Sequence, residues 1–417
     1  MMKEINLYLL DISNEGNTSG VDRCLNTYLT GLKNYPFIRV VRIQLLRGKS
    51  VFLWKEEQRE NYTSVVIPIP QQSDAIIGER YWFQKYNEYV FSLTKHLFEN
   101  KSNCIIHIHT LNLIALASYI KTQVPCKIIT HLHCIPWKDT YNNNRKKFNL
   151  LYSLSGEKGK LLDEKQFFTN NCEWESYTAP DKVICVTHSG KEFLKQIMHQ
   201  SAAKISVVSN GINDLFNDGC NRKQKVSSVV FQCLFVGFLL EAKGVFYILE
   251  ALRKVQAKGY TVMLNMAGNV NPQTRQRIEE KYNDLQINLL GRIPFEELQK
   301  LYQESDIGII ASLQEQCSYA AIEMAMFGLP IVTTAVDGLD EMFTDGVNAL
   351  KVNTKFSKVF GLSVDTDMLS DKIITLIEND DLRRQLGANV RQLYKERFGL
   401  DKMMQQTIEV YKELVYE

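Results

Sequence analysis

A chain of 417 residues exceeds one typical core, so two or three domains are expected, and 45% hydrophobic with 23% charged residues is the composition of a soluble globular protein. A net charge of +2 gives no global field that would favour nucleic acid. The nine cysteines are scattered without a C-x-x-C pair, which argues for a reducing compartment and against a disulfide framework or a zinc site. Met1–Leu10 is too short, and too acidic at Glu4, for a signal peptide, and no run of about 18 apolar residues is present to span a membrane.

In chain order, Ile5–Leu10 (INLYLL) is the first predicted strand. The polar turn DISNEGNTSGVDR follows, and Val21–Leu32 reads as an amphipathic helix through Val21, Leu25, Tyr28, Leu29 and Leu32. Gly20 at the start of that helix lets another molecule approach the backbone closely; a glycine kept for packing is the other reading. Further strands are expected at Ile38–Gln44, Ser64–Ile69 and Cys104–His109, with a helical region, Arg80–Phe98, between the last two. The aromatics of that region (Tyr81, Trp82, Phe83, Tyr86, Tyr89, Phe91) read as packing rather than as a sugar platform.

Lys127–Trp137 (KIITHLHCIPW) is a strand running into a loop, and His131 and His133 alternate so that both point the same way. A metal site would need a third ligand at matching spacing; the sequence shows none, so no metal is expected. Asn142–Lys160 is polar and locally basic. Three readings of it stand: a solvated loop, a mobile loop over an acceptor cleft, and a surface facing anionic lipid head groups, which would make a peripheral membrane contact. Lys182–Thr187 is a strand, Gly190–Met198 a helix, and Lys204–Asn213 (KISVVSNGIN) a strand and closing turn.

Asp214–Ser228 is polar and aperiodic, as a linker is. Val229–Val236 is a strand, followed by the loop Gly237–Gly244 (GFLLEAKG) and the helix Val245–Gln256. Strands are expected at Thr261–Ala267, ending at Gly268-Asn269, and at Ile287–Leu290, ending at Gly291-Arg292. The amphipathic helix Phe295–Ser305 leads to the most informative block, Ser312–Glu341 (SLQEQCSYAAIEMAMFGLPIVTTAVDGLDE). Before that block, Ile307–Ala311 has the apolar run of a buried parallel strand. Within it, Tyr319–Phe327 favours helix, Gly328 caps it, Pro330 cannot continue it, and Ile331–Thr334 is the next strand.

That order places the loop SLQEQCS and a helix N-terminus at the carboxyl edge of a parallel sheet, a natural seat for phosphate. Glu315 and Glu323 flank the seat. A carboxylate beside a phosphate needs another task, and accepting hydrogen bonds from sugar hydroxyls is one. At the end of the chain, Asp381–Glu417 reads as two helical stretches broken near Phe398-Gly399.

Glu315 and Glu323 have seven residues between them, and IEMAMFGLPIVTT…VDGLDE follows the same order as a known consensus, roughly LEAMACGxPVVxTxxGGxxE. The block resembles the family-four retaining glycosyltransferases of the GT-B fold, also called glycosyl transferases group 1. The resemblance implies an α/β protein of two Rossmann-like parallel-sheet domains facing across a cleft. An acceptor-binding domain would cover 1–213, a linker 214–228, a nucleotide-sugar-binding domain 229–400, and a helix crossing back to the first domain 401–417. It implies transfer of a sugar with retention, without a metal or a permanent cofactor, from a UDP- or GDP-sugar. The acceptor would be a glycan, a lipid-linked molecule or a peptide, in the cytoplasm or at the inner face of the membrane.

Carried over by that resemblance, Glu315 contacts the donor sugar and Glu323 the ribose. Gln316, Cys317, Ser318 and Tyr319 form the donor-binding turn and helix start. Lys243, in the loop opened by Gly237, holds the diphosphate, and Arg292 meets the nucleobase. Gly20 lies near the donor phosphates, and His133 near the donor sugar. Four departures stand out: Ser19 for a glycine, Cys134 for an aspartate, Phe238 where an arginine is usual, and Gln316-Cys317-Ser318 after Glu315 where the family usually has Gly-Phe-Gly. A phenyl ring cannot make the forked hydrogen bonds of guanidinium. The alternative reading is therefore a non-catalytic GT-B subunit that binds a glycan or a partner; phosphorolysis ranks below it.

Overall fold

The structure, a computed structural model, describes residues 3–16, 20–48, 53–69, 79–135, 173–196, 200–216, 230–357 and 361–416. The chain divides into two compact units. One comprises Met1–His133, Tyr152–Ser209 and Leu400–Glu417; the other comprises Cys134–Leu151 and Asn210–Gly399. Residues 142–160, read above as a basic loop, lie outside the described residues, as does most of the stretch read as a linker.

In the first unit eight strands form one sheet: β1 (Ile5–Asn14), β2 (Ile38–Arg47), β3 (Lys55–Gln58), β4 (Thr63–Pro68), β5 (Cys104–Ile108), β6 (Cys126–Leu132), β7 (Lys182–Cys185) and β8 (Ile205–Val207). Their order is β3-β4-β2-β1-β5-β6-β7-β8, parallel throughout except for β3, which pairs antiparallel with β4. The central strands are buried on both faces, as their continuous apolar runs require. β1 runs on to Asn14, into the predicted turn, because its polar end is satisfied inside the sheet. Asp11, fully buried, accepts two hydrogen bonds of 2.9 Å from Arg42 on β2. Ser13 Oγ lies 2.9 Å from Asp11 and 2.6 Å from Asp22, at the start of the helix Gly20–Leu32. The final helix, Leu400–Tyr416, packs in this unit: Thr407 meets Tyr28 at 3.0 Å and Glu413 accepts from Lys182 at 2.9 Å.

The second unit holds β9 (Phe231–Val236), β10 (Val262–Ala267), β11 (Gln286–Gly291), β12 (Ile307–Ile310), β13 (Ile331–Thr334) and β14 (Leu350–Val352). All are parallel, in the order β11-β10-β9-β12-β13-β14. The chain runs outward from β9 through β10 to β11, then returns to lay β12 on the other side of β9. The carboxyl ends of β9 and β12 thus flank the point where the winding reverses, which is where open α/β sheets bind ligands. A short antiparallel hairpin, β15 (Thr354–Ser357) and β16 (Gly361–Val364), follows. The helices Ile114–Gln123, Pro272–Lys281 and Thr366–Glu378, to which the sequence reading gives no element, pack on the sheets. Pro272–Lys281 carries a legible start: Pro272 opens it and Asn271 caps it by accepting from Thr274 N–H.

Candidate active site

Two loops meet at the reversal point. The first leaves β9 at Gly237, whose N–H donates to Ala267 O at 3.0 Å, and forms one tight turn over Glu241–Lys243. Gly244 then starts the helix Val245–Ala257 at φ +75°, and a Cβ there would lie 1.9 Å from Ala311 O. Only glycine fits both the conformation and the approach. The contact matters because Ala311 leads into the second loop, and Leu313 N–H donates to Ala242 O at 2.8 Å, closing the two loops on each other.

The second loop, between β12 and the helix Tyr319–Met326, carries Glu315. Lys243 Nζ donates to Glu315 Oε1 at 2.5 Å, and Ser312 Oγ lies 3.4 Å from the same oxygen. The Lys243 and Glu315 side chains are 32% and 15% exposed, so the pair sits at the surface of the loop junction and can meet a ligand. Three contacts fix the loop beneath it. Gly338 N–H donates to Glu315 O at 2.9 Å, Asn210 Nδ2 donates to Cys317 O at 2.8 Å, and Ser318 Oγ accepts from Ala321 N–H at 3.4 Å as the helix cap. Gln316, Cys317 and Ser318 are buried by this clamping. The turn thus replaces the two glycines of the consensus with side chains pinned in place.

Glu323 is fully buried inside the helix and accepts a 2.5 Å hydrogen bond from Tyr302. Tyr302 is itself held flat against Phe327, ring centroids 5.3 Å apart. Tyr319 opens the helix and is half-buried, and Arg292 is exposed just beyond β11. Phe238 is 41% exposed, so its ring is not taken up by the core. The structure therefore brings together Gly237, Lys243, Glu315, Gln316, Cys317, Ser318, Tyr319 and Glu323 in one unit. Gly20 and His133 belong to the other unit.

Gly20 is the exposed first residue of its helix. His133 follows β6, half-buried, with its ring stacked 4.2 Å from that of His131 and Nε2 3.1 Å from His109 Nδ1. Burial lowers its pKa to about 4, so the imidazole is neutral at physiological pH. The sequence reading found no third candidate ligand beside His131 and His133, and the structure sets two more histidines there. His107 and His109, on the neighbouring strand, stand against them. The signal was present in sequence, since His107 and His109 alternate as His131 and His133 do, but it becomes a cluster only through strand pairing. Asn210 and Tyr302 were missed for the same reason: each acts through a residue distant along the chain, Cys317 and Glu323 respectively.

The family model of Glycosyl transferases group 1 matches residues 221–393, and that of Glycosyltransferase Family 4 matches residues 54–214. An uncharacterized glycosyltransferase of Methanocaldococcus jannaschii is 28% identical over 239 residues, 57% of this chain and 61% of that one. The chain spans about two-thirds or less of such curated relatives, 61% and 66% for two from that organism. Sucrose-phosphate synthase from Thermosynechococcus elongatus shares the fold with a TM-score of 0.73 at 18% identity, covering 99% of both chains. HepE of Anabaena, solved in complex with UDP-glucose, has a TM-score of 0.69 at 16% identity, covering 98% of this chain and 100% of that one. Both halves of the chain thus match glycosyltransferase families, Family 4 in the first and group 1 in the second, and the fold is GT-B.

Proposed function

We propose that the protein moves a sugar, with retention at the anomeric carbon, from a UDP- or GDP-sugar to a glycan, lipid-linked or peptide acceptor. The second unit binds the donor and the first the acceptor. The observation that carries this reading is the Lys243–Glu315 pair on its clamped loop, beside the N-terminus of the helix Tyr319–Met326. In the transfer the anomeric C–O bond to the diphosphate breaks, a C–O bond to the acceptor hydroxyl forms, and the acceptor proton leaves with the diphosphate. Two charges then need stabilising. The Lys243 ammonium and the positive end of the helix act on the departing diphosphate, so no metal ion is invoked for it. Glu315 orients the donor sugar, Glu323 holds the ribose through the Tyr302-supported carboxylate, and neutral His133 accepts a hydrogen bond near the sugar. The donor class is supported by the UDP-glucose complex of HepE, which shares the fold.

A nucleotide-sugar substrate fits the cytoplasm, with the inner face of the membrane as a place to meet a lipid-linked acceptor. Among the described residues no cysteine forms a disulfide, and no helix is long and apolar enough to cross a membrane. Phe238 favours the second reading, a non-catalytic subunit, since an exposed phenyl ring stands where a diphosphate-binding cation is usual in the consensus.

The test is hydrolysis of a panel of UDP- and GDP-sugars by the purified protein, with Glu315→Ala and Lys243→Ala beside it. Slow release of nucleoside diphosphate from one donor, abolished in both variants, supports the transferase and names its donor. Absence of turnover, together with absence of donor binding by calorimetry across the panel, moves the reading to the non-catalytic subunit.

A further inference from the structure

Four imidazoles gather on one face of the first unit's sheet. β5 and β6 run parallel with Ile108 opposite Thr130, which brings His109 level with His131. The two-residue period of a strand then sets His107 and His133 on the same face. Ring centroids are 5.3 Å apart for His107 and His131, 4.3 Å for His107 and His109, and 5.0 Å for His109 and His131. Tyr28 closes the cluster edge-on from the helix Gly20–Leu32, 5.4 Å from the His109 ring, and Tyr411 reaches it from the helix Leu400–Tyr416.

Such a cluster is costly as an ordinary core. His107, His109 and His131 are at most 3% exposed, and Nε2 of both His109 and His131 has no hydrogen-bond partner among the described residues. A buried polar nitrogen without a partner costs about 1–3 kcal/mol. Two such atoms in one cluster, on rings whose centroids are 5.0 Å apart, point to something that uses their lone pairs.

We propose that His107, His109 and His131 bind one divalent transition-metal ion of the zinc class, as a structural site distinct in residues and chemistry from the donor-handling pair Lys243–Glu315. One nitrogen from each of the three lies within 4.8 Å of the others. Imidazole nitrogen selects zinc, nickel or copper over magnesium or calcium, which require oxygen. Asp11, the buried carboxylate of the same unit, is taken up by Arg42, so the site offers no oxygen cage. The ligands are also in the right protonation state. Burial, reinforced by the neighbouring histidines, brings the His107 pKa to about 3 and those of His109 and His131 well below the usual value, so all three are neutral at physiological pH.

A partner behind the ligands is present too. His107 Nδ1 lies 2.7 Å from the Tyr411 hydroxyl, and burial keeps that phenol protonated at physiological pH. With Nδ1–H donating to the Tyr411 oxygen, Nε2 of His107 carries the lone pair; it accepts from His131 Nδ1 at 3.3 Å and would turn from that bond to the ion, with Tyr411 as the second-shell group that orients the ring. A tetrahedral site with Zn–N of about 2.0–2.1 Å sets its nitrogens about 3.4 Å apart. Reaching that spacing requires the stacked rings, now 11° and 26° from parallel, to turn about χ2, a broad torsion in histidine. A bound ion would tie β5 and β6 together and, through Tyr411, to the C-terminal helix.

The test uses the full chain without a polyhistidine tag, stripped with a chelator and titrated with Zn²⁺ against a chromophoric competitor. Thermal unfolding is followed in parallel. One ion per chain is expected, with a rise of several degrees in Tm that Mg²⁺ does not reproduce. His109→Gln and His131→Gln should each weaken binding at least tenfold, whereas His96→Ala, an exposed histidine bound to Glu56, should not. Zinc affinity equal in the wild type and both cluster variants overturns the proposal. If the variants do not fold, zinc-edge X-ray absorption of the wild type decides: a nitrogen shell with imidazole scattering supports the site, and an oxygen shell overturns it.

Discussion

Lys243 Nζ and Glu315 Oε1 meet at 2.5 Å although 72 positions separate them, because the loops after β9 and β12 close on each other at the reversal of the sheet. The ammonium and the carboxylate hold each other in place, so each presets the other for a donor. Lys243→Ala should lower kcat by about 10²–10³-fold, as removing one positioned charge-stabilising donor does. Release of nucleoside diphosphate under saturating donor checks this, with circular dichroism to confirm the fold. A loss under tenfold would remove Lys243 from the diphosphate role.

Gly338 carries the next prediction. A Cβ there would stand 1.3 Å from Gln316 O, a backbone atom that no rotamer change can move aside. Gly338→Ala must therefore displace the Glu315–Ser318 loop, whose Glu315 carbonyl also accepts from Gly338 N–H. The expected result is a stability loss of about 2–4 kcal/mol and a drop in donor affinity larger than any drop in Tm would explain. Urea unfolding and calorimetric donor titration measure the two separately. Wild-type donor affinity in a destabilised variant would show that the loop does not depend on this contact.

The legibility of this chain in its sequence follows from the same geometry. The stretch from Ile307 to Thr334 could be read as strand, loop, helix and strand because its boundaries are marked locally, by Ser318 at the cap, Gly328 after the helix and Pro330 beyond it. β3 and the β15–β16 hairpin could not be read: Lys55–Gln58 is polar and wholly exposed, so edge pairing rather than pattern makes it a strand. β1 was read four residues short because Asp11 and Ser13 look like a turn until Arg42 is seen beside them. In the site, residues defined by spacing were legible. Asn210, Tyr302 and the partners of His131 were not, because they are assembled by register and packing that one sequence does not print.

Tyr302→Phe tests the support of Glu323. The substitution keeps the stacking on Phe327 and removes only the hydroxyl that donates to Glu323 Oε2 at 2.5 Å. Loss of a hydrogen bond to a buried carboxylate costs about 1–3 kcal/mol. If Glu323 holds the ribose, KM for the donor should rise while kcat changes less. A variant with wild-type KM would leave Tyr302 a core residue with no part in donor binding.

The pH dependence of folding has a local test at Asp181. Partial burial raises its pKa, but hydrogen bonds from Lys121 at 2.6 Å and Ile128 N–H at 2.7 Å, with the charge of nearby lysines, outweigh that and leave it lowered. A carboxylate whose folded pKa is depressed contributes stability above its unfolded value, about 3.9, and loses it as pH falls through the folded value. Asp181→Asn should therefore lower stability at pH 7 and flatten its decline below about pH 4. Urea midpoints at pH 3 and pH 7 measure both effects. Parallel pH curves for variant and wild type would count against the argument.

The last prediction concerns Arg42 and Asp11, which bridge β1 and β2 through two 2.9 Å hydrogen bonds while Asp11 is fully buried. Removing one partner strands the other charge in a low-dielectric interior, so Arg42→Met should cost about 3–5 kcal/mol. Removing both is a different matter, because the desolvation penalty disappears with the attraction. The double variant Arg42→Met, Asp11→Leu should recover most of that loss. Ser13 and Gln44 decide how much: Ser13 Oγ contacts Asp11 and Asp22 and accepts from Gln44, so deleting Asp11 takes one bond from a chain that continues to the helix Gly20–Leu32. A double-mutant cycle from urea midpoints should give a coupling of about 2–3 kcal/mol, the upper range for contacting residues. A coupling near zero would mean that each side chain is satisfied without the other, and that β1 extends to Asn14 for some reason besides this pair.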